Sequence, residues 1–243
     1  MTESAIRRIT LEFYSHFCGV DLNQNPSGLH ITCTPRRDEV VKGLGCRYPV
    51  YILEKEGLLA AACSPRYGEE MESLRGLSAD EALAAVRQRW NLREVRLMVF
   101  RRERVKDFGA ARVLEPSQYS LYEAFFRRAN PQADPSGWLR EYFTEKAGMG
   151  YFTGYLKDGQ LVSVCDAPDM PYMEGIIQHT GIHTLAGERG KGFGKYTAAL
   201  AAHQLLGMGV CPQWECRDDN PASRRLALSI GYVEYARAYI LQA

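Results

Sequence analysis

The sequence has almost no net charge, with 30 Lys and Arg set against 29 Asp and Glu. A chain that neutralises nucleic-acid phosphates carries a basic excess, so composition argues against nucleic-acid binding and any anion site must be local. There is no apolar run of bilayer length, and the start, Met1-Thr2-Glu3-Ser4-Ala5-Ile6-Arg7-Arg8-Ile9, lacks the apolar core of a signal peptide. A cytoplasmic protein without membrane contact is expected. The cysteines (18, 33, 46, 63, 165, 211 and 216) lack the even count and close spacing of a disulfide framework. Neither CxxC nor HxxxH accompanies Cys211 and Cys216, so reduced thiols and no metal are expected. Internal repeats and low-complexity linkers are absent too.

What is present is a chain of 243 residues, 46% hydrophobic, able to bury a substantial core. Ile6, Ile9, Leu11, Phe13, Tyr14 and Phe17 fall at helical spacing, with Gly19 as the stop. Strands are expected at 28–34 and 49–63, the second broken by a turn at 54–57. Ser78, with Glu81 three residues on, forms a capping-box pattern opening a helix to about Trp90, and a strand follows at 94–101. Beyond about residue 110 come a short strand ending at Leu114, helices around Leu121 to Phe126 and from Pro135 to about Lys146, and a hairpin turning at Asp158-Gly159. A strand at 176–184, a helix from about Lys191 to Leu206, a strand at 210–216, a helix at 221–230 and a strand at 232–241 complete the order. We divide the chain into 1–110, with an αββαβ order and no recognisable chemical site, and 111–243.

The chemistry concentrates in Gly187-Glu188-Arg189-Gly190-Lys191-Gly192-Phe193-Gly194-Lys195-Tyr196-Thr197. Glycine-rich turns before helices bind phosphate because first-turn amides lack internal partners and the helix dipole favours an anion there. The stretch is not a P-loop, since Gly194-Lys195 is followed by Tyr196 and the required first glycine falls on Arg189. It is not a dinucleotide fingerprint either, since the third glycine falls on Lys195 or Thr197. The bland alternative is a strand-to-helix turn with glycines for bending.

Arg189-x-x-Gly192-x-Gly194 between a strand and a helix resembles the pyrophosphate-binding motif of the GNAT superfamily of acyl-CoA-dependent N-acyltransferases. Gly181-Ile182-His183-Thr184 resembles that family's fourth strand. Pro212-Gln213-Trp214-Glu215-Cys216, Asn220-Pro221-Ala222-Ser223, Leu226-Ala227 and Gly231-Tyr232 resemble its fifth strand, following helix and Gly-aromatic ending. The last group looks most like a bacterial branch that includes zwittermicin-resistance-type acetyltransferases. The resemblance covers 111–243 and implies an α/β (α+β) GNAT fold with a mixed, mostly antiparallel sheet. The N-terminal region is expected to be a degenerate half of the same fold, supplying one wall of the acceptor site or a sheet extension.

The resemblance further implies acetyl-CoA as co-substrate, held by Ile182, His183, Thr184, Arg189, Gly190, Lys191, Gly192, Phe193, Gly194, Lys195, Asn220 and Ser223. Asn220 also suits a helix N-cap with Pro221 at the first helical position, whatever the ligand. Acyl transfer needs an unprotonated amine, a polarised thioester carbonyl and a proton for the departing thiolate. A backbone N–H between Ile182 and Thr184 would polarise the carbonyl. The base falls on His179, whose imidazole titrates near neutrality, or on Glu215. The family's usual Tyr acid falls on Ala227, leaving Tyr232, Tyr235 or solvent. No Cys sits beside an activating base, so direct attack in a ternary complex is expected. The acceptor is expected to be a small-molecule or peptide amine, and the assembly admits a homodimer. The alternative is a catalytically weak GNAT-like CoA sensor.

Overall fold

The computed structural model describes residues 1–243. Local rules set most elements. α1 (Glu3–Cys18) starts where the Thr2 side chain accepts from the Ala5 amide and stops where Gly19, at φ 72°, donates to the Ser15 carbonyl. β1 (Gly28–Cys33) is followed by a two-residue ribbon, β2 (Val40–Val41) and β3 (Cys46–Arg47), then the hairpin of β4 (Val50–Lys55) and β5 (Leu58–Cys63). After the short helix α2 (Gly68–Glu72), Ser78 and Glu81 complete the expected capping box at α3 (Ala79–Arg89), leading into β6 (Arg93–Phe100).

β7 (Ala111–Val113) precedes helices α4 (Tyr119–Ala129) and α5 (Leu139–Gly148). β8 (Thr153–Lys157) and β9 (Gln160–Asp166) form the predicted hairpin, with Asp158 at φ 49° and Gly159 at φ 74°, the positive angles its two-residue turn requires. The strand expected at 176–184 is two strands, β10 (Ile177–His179) and β11 (Gly181–Thr184), which join different sheets on either side of Thr180. Then come α6 (Phe193–Gly207), β12 (Cys211–Arg217), α7 (Pro221–Ile230) and β13 (Tyr232–Leu241). α6 begins two residues later than expected, because Gly190 and Gly192 sit at φ 78° and 86° and keep the chain out of the helix.

A seven-stranded sheet runs β1-β5-β4-β13-β6-β12-β10 and a four-stranded sheet runs β11-β9-β8-β7. Pairing is antiparallel throughout except β1 with β5 and β10 with β12. The sheet is therefore mixed and mostly antiparallel, as expected. β13 lies between β4 and β6, both from residues 1–110, and a single cluster of 34 buried residues joins Ile6, Leu97, Trp214 and Tyr232. The division at residue 110, drawn where the motifs begin, runs through the middle of this sheet and core.

Side-chain alternation along β12 sorts the helices. Gln213 donates to the Tyr14 hydroxyl of α1 at 3.2 Å, while the neighbouring Trp214 donates to Ser223 of α7 at 3.2 Å, so α1 and α7 cover opposite faces. No helix is long and apolar enough to cross a membrane.

Candidate active site

The two sheets part at Thr180, and the register shows what this exposes. Leu185 N–H donates to the Val162 carbonyl at 3.0 Å, and Gly181 to Thr184 stand opposite Asp166 to Ser163. Antiparallel bonding then falls on the odd residues 181, 183 and 185. The N–H and C=O of Ile182 and Thr184 point away from β9, into the gap on the β12 side. His183, expected among the backbone contacts, turns its own N–H toward β9 instead.

At one end of this gap lies the glycine loop. The amides of Gly190, Lys191, Gly192, Phe193 and Gly194 find no acceptor in the protein. With positive φ at Gly190 and Gly192 they form a cradle suited to an anion. Gly194 serves packing, since a Cβ there would lie 3.1 Å from Thr184 Oγ1. Arg189 ties the loop to β11 by donating from Nε to the Thr184 carbonyl at 3.2 Å. Lys191 pairs with Glu188 at 3.0 Å, and Phe193 stacks on Tyr155 with ring centroids 4.6 Å apart. These contacts fit a diphosphate: backbone donors without partners, room where side chains are missing, and basic residues beside them.

On the α1 face lies a cavity of about 310 Å³. His179 of β10, Gln213 and Glu215 of β12, and Asn220 and Ser223 beyond it all line this cavity. Its other wall is Phe13 and Phe17 of α1 with Tyr48 and Tyr51, and the segment Pro168 to Pro171 closes a third side. Burial raises the Glu215 carboxyl, with Tyr14 and then Arg93 opposing, and Gln213 Nε2 donates to it at 3.3 Å. Burial lowers the His179 imidazole to about 4, leaving Nδ1 enclosed and without a partner. The two candidate bases thus share one cavity, and their environments push them in opposite directions.

The remaining candidates have other partners. Asn220 is the predicted cap, its Oδ1 accepting from the Ser223 amide at 3.0 Å. Tyr232 is fully buried against Phe100 and Trp214, away from the cavity, its hydroxyl without a partner. Cys216 is the one cysteine lining the cavity, and burial raises its thiol. Sequence reasoning missed Tyr14, Tyr48 and Tyr51, which lie far along the chain and carry no motif. Gln213 was reachable, since it alternates with Glu215 on one strand face.

A model of the family described as GNAT acetyltransferase matches residues 113–241. The chain belongs to the GNAT acetyltransferase family. The matched region contains the glycine loop, the parting strands, His179 and Glu215, whereas the aromatic wall lies outside it. Among solved structures, an acetyltransferase of the GNAT family from Colwellia psychrerythraea is similar at 11% identity over 81% of this chain and 80% of that one, with a TM-score of 0.56. A putative GNAT acetyltransferase from Novosphingobium aromaticivorans aligns at 17% identity over 63% and 65%, TM-score 0.46. A GCN5-related N-acetyltransferase from Sphaerobacter thermophilus aligns at 16% over 68% and 56%, TM-score 0.47. The first of these shows a shared fold that extends beyond the family match. No curated protein matches the sequence.

The chain is accordingly a GNAT enzyme, and acyl transfer from a CoA thioester to an amine is its general chemistry.

Proposed function

We propose that this enzyme moves an acetyl group from acetyl-CoA to a small-molecule or peptide amine by direct attack in a ternary complex. The observation that carries the reading is the outward edge of β11, where Ile182 N–H points away from β9 and Thr184 C=O is held by Arg189 of the glycine loop. The amides of 190–194, with Arg189, Lys191 and Lys195 nearby, receive the pyrophosphate. The Ile182 and Thr184 edge holds the pantetheine arm, and Ile182 N–H polarises the thioester carbonyl. Asn220 and Ser223 border the same gap.

Glu215 takes the amine proton, directly or through water. Its raised carboxyl is a better base at neutral pH than an ordinary one, and it faces the cavity where the amine enters. His179 orients the acceptor through its unpartnered Nδ1. Every cysteine whose thiol is shifted is shifted upward by burial, which supports direct transfer over an acyl-cysteine. The enclosed Tyr232 favours solvent as the proton source for the thiolate.

Residues 1–110 act as one wall of the acceptor site, through Phe13, Phe17, Tyr48 and Tyr51. The motif from Pro212 to Ser223 supports placing the chain in the branch that includes zwittermicin-resistance-type acetyltransferases. Thiol release from acetyl-CoA across a panel of amines tests the transferase reading. Tight CoA binding with no release on any amine would overturn it in favour of a sensor.

A further inference from the structure

The charges around the cavity do not balance, and the imbalance has a place. Asp169 is taken by Lys146 at 2.7 Å, and Arg217 by Asp219 at 2.7 Å. Glu215, half-buried, is left as the acid facing the cavity without an ion pair. Two arginines are left as well. Arg93 lines the cavity without an ion pair, its one side-chain contact being a long 3.4 Å bond to Gln242. Arg37 is 5% exposed and makes no ion pair and no side-chain hydrogen bond, with Nη1 fully enclosed.

Arg37 lies behind the aromatic wall, its guanidinium 5.5 Å from the Phe17 ring, while Phe17 and Tyr51, tilted against each other with centroids 5.4 Å apart, line the cavity. The cation–π contact offsets part of the desolvation, but an enclosed guanidinium without an anion remains costly. An anion in the cavity would feel this charge through the wall and meet Arg93 directly, and a carboxylate matches the planar fork of guanidinium donors. The wall facing Arg93, formed by Phe13, Phe17, Tyr48 and Tyr51, is aromatic, suited to an apolar body.

Building on the reading of this cavity as the acceptor site, we propose that the acceptor is an amine that also carries a carboxylate on an apolar body of aromatic size, with Arg93 taking the carboxylate, Arg37 adding positive charge from behind the wall and Glu215 facing the amine. The same positive field disfavours ammonium over free amine, which supplies the nucleophile in its reactive form. It also rejects polycations, which would set several ammonium groups against two unpaired guanidiniums.

The test uses probes of one body: phenylalanine, phenylalaninamide and phenethylamine, with spermidine as the polycation. Binding is measured calorimetrically on the CoA-loaded protein, and thiol release is followed separately with acetyl-CoA. Phenylalanine is expected to bind at least about ten-fold more tightly than its amide, as for a charge-assisted hydrogen bond, and spermidine not to bind. In Arg93→Gln, and in Arg37→Met, the ratio between phenylalanine and its amide is expected to fall toward one. Arg93 is exposed, so its variant carries the test if the Arg37 variant does not fold. Equal or tighter binding of the amide or of spermidine, a ratio unmoved by Arg93→Gln, or no binding of any probe overturns the proposal. Binding in the expected order without thiol release instead counts against the transferase reading and leaves this preference standing.

Discussion

A Cβ placed on Gly194 would lie 3.1 Å from the Oγ1 of Thr184, so the first turn of α6 rests directly on the edge of β11. The glycine loop and β11 are therefore held together by the absence of one side chain. Gly194→Val is expected to push α6 off β11 and raise the KM for acetyl-CoA about ten-fold or more, since small misplacements at a reacting centre are costly. Steady-state kinetics with varied acetyl-CoA check this, and an unchanged KM would remove the loop from the CoA site.

Glu215→Gln should slow turnover about a hundred-fold or more, in the range for losing a general base. In the parent enzyme kcat/KM should rise with pH through the raised carboxyl, above the usual carboxylate range, and that limb should vanish in the variant. Stability moves the other way. A folded-state pKa above the unfolded one gives a contribution present at low pH and lost as pH rises through the folded value. Thermal melts should therefore show Glu215→Gln gaining on the parent at neutral pH and losing that advantage in acid.

His179 carries the opposite sign. Its folded value of about 4 lies below the ordinary 6.5, so its contribution is present above 6.5 and is lost as pH falls toward 4. Replacing His179 with Gln should flatten acid unfolding across that window, followed by circular dichroism. If His179 were the base, the acid limb of kcat/KM would centre near 4 and disappear in this variant.

Tyr232→Phe should keep its activity and gain about 1 kcal/mol, because the deleted hydroxyl is buried without a partner. Denaturant unfolding and initial rates check the two halves of this expectation. Turnover slowed by about a hundred-fold would instead assign Tyr232 as the acid.

A chain beginning at residue 111 should fail to fold, since β13 would lose both neighbours, β4 and β6, leaving two open edges and half a core. Circular dichroism and acetylation assays on that chain check this, and full activity would make residues 1–110 a separate module.

Much of this was legible in the sequence wherever a local rule decides. The Ser78 capping box, the Asp158-Gly159 turn, the Asn220 cap and the glycine turn leading into α6 all depend on residues within a few positions of one another. Their outcomes appear in the structure close to where they were expected. Periodicity likewise placed α1 and most strands, because burial of one face repeats along the element itself.

Tertiary structure alone decided the break at Thr180, since a strand changes sheets only when two different partners, β9 and β12, compete for its edge. It also decided that β13 runs between two N-terminal strands, that α1 walls the cavity, and that burial separates Glu215 from His179 in proton affinity. Sequence determined the chemistry on offer, because backbone turns and side-chain types are local properties. Which groups face each other, and at what charge, depends on desolvation and on contacts between distant segments, and those exist only once the chain has folded.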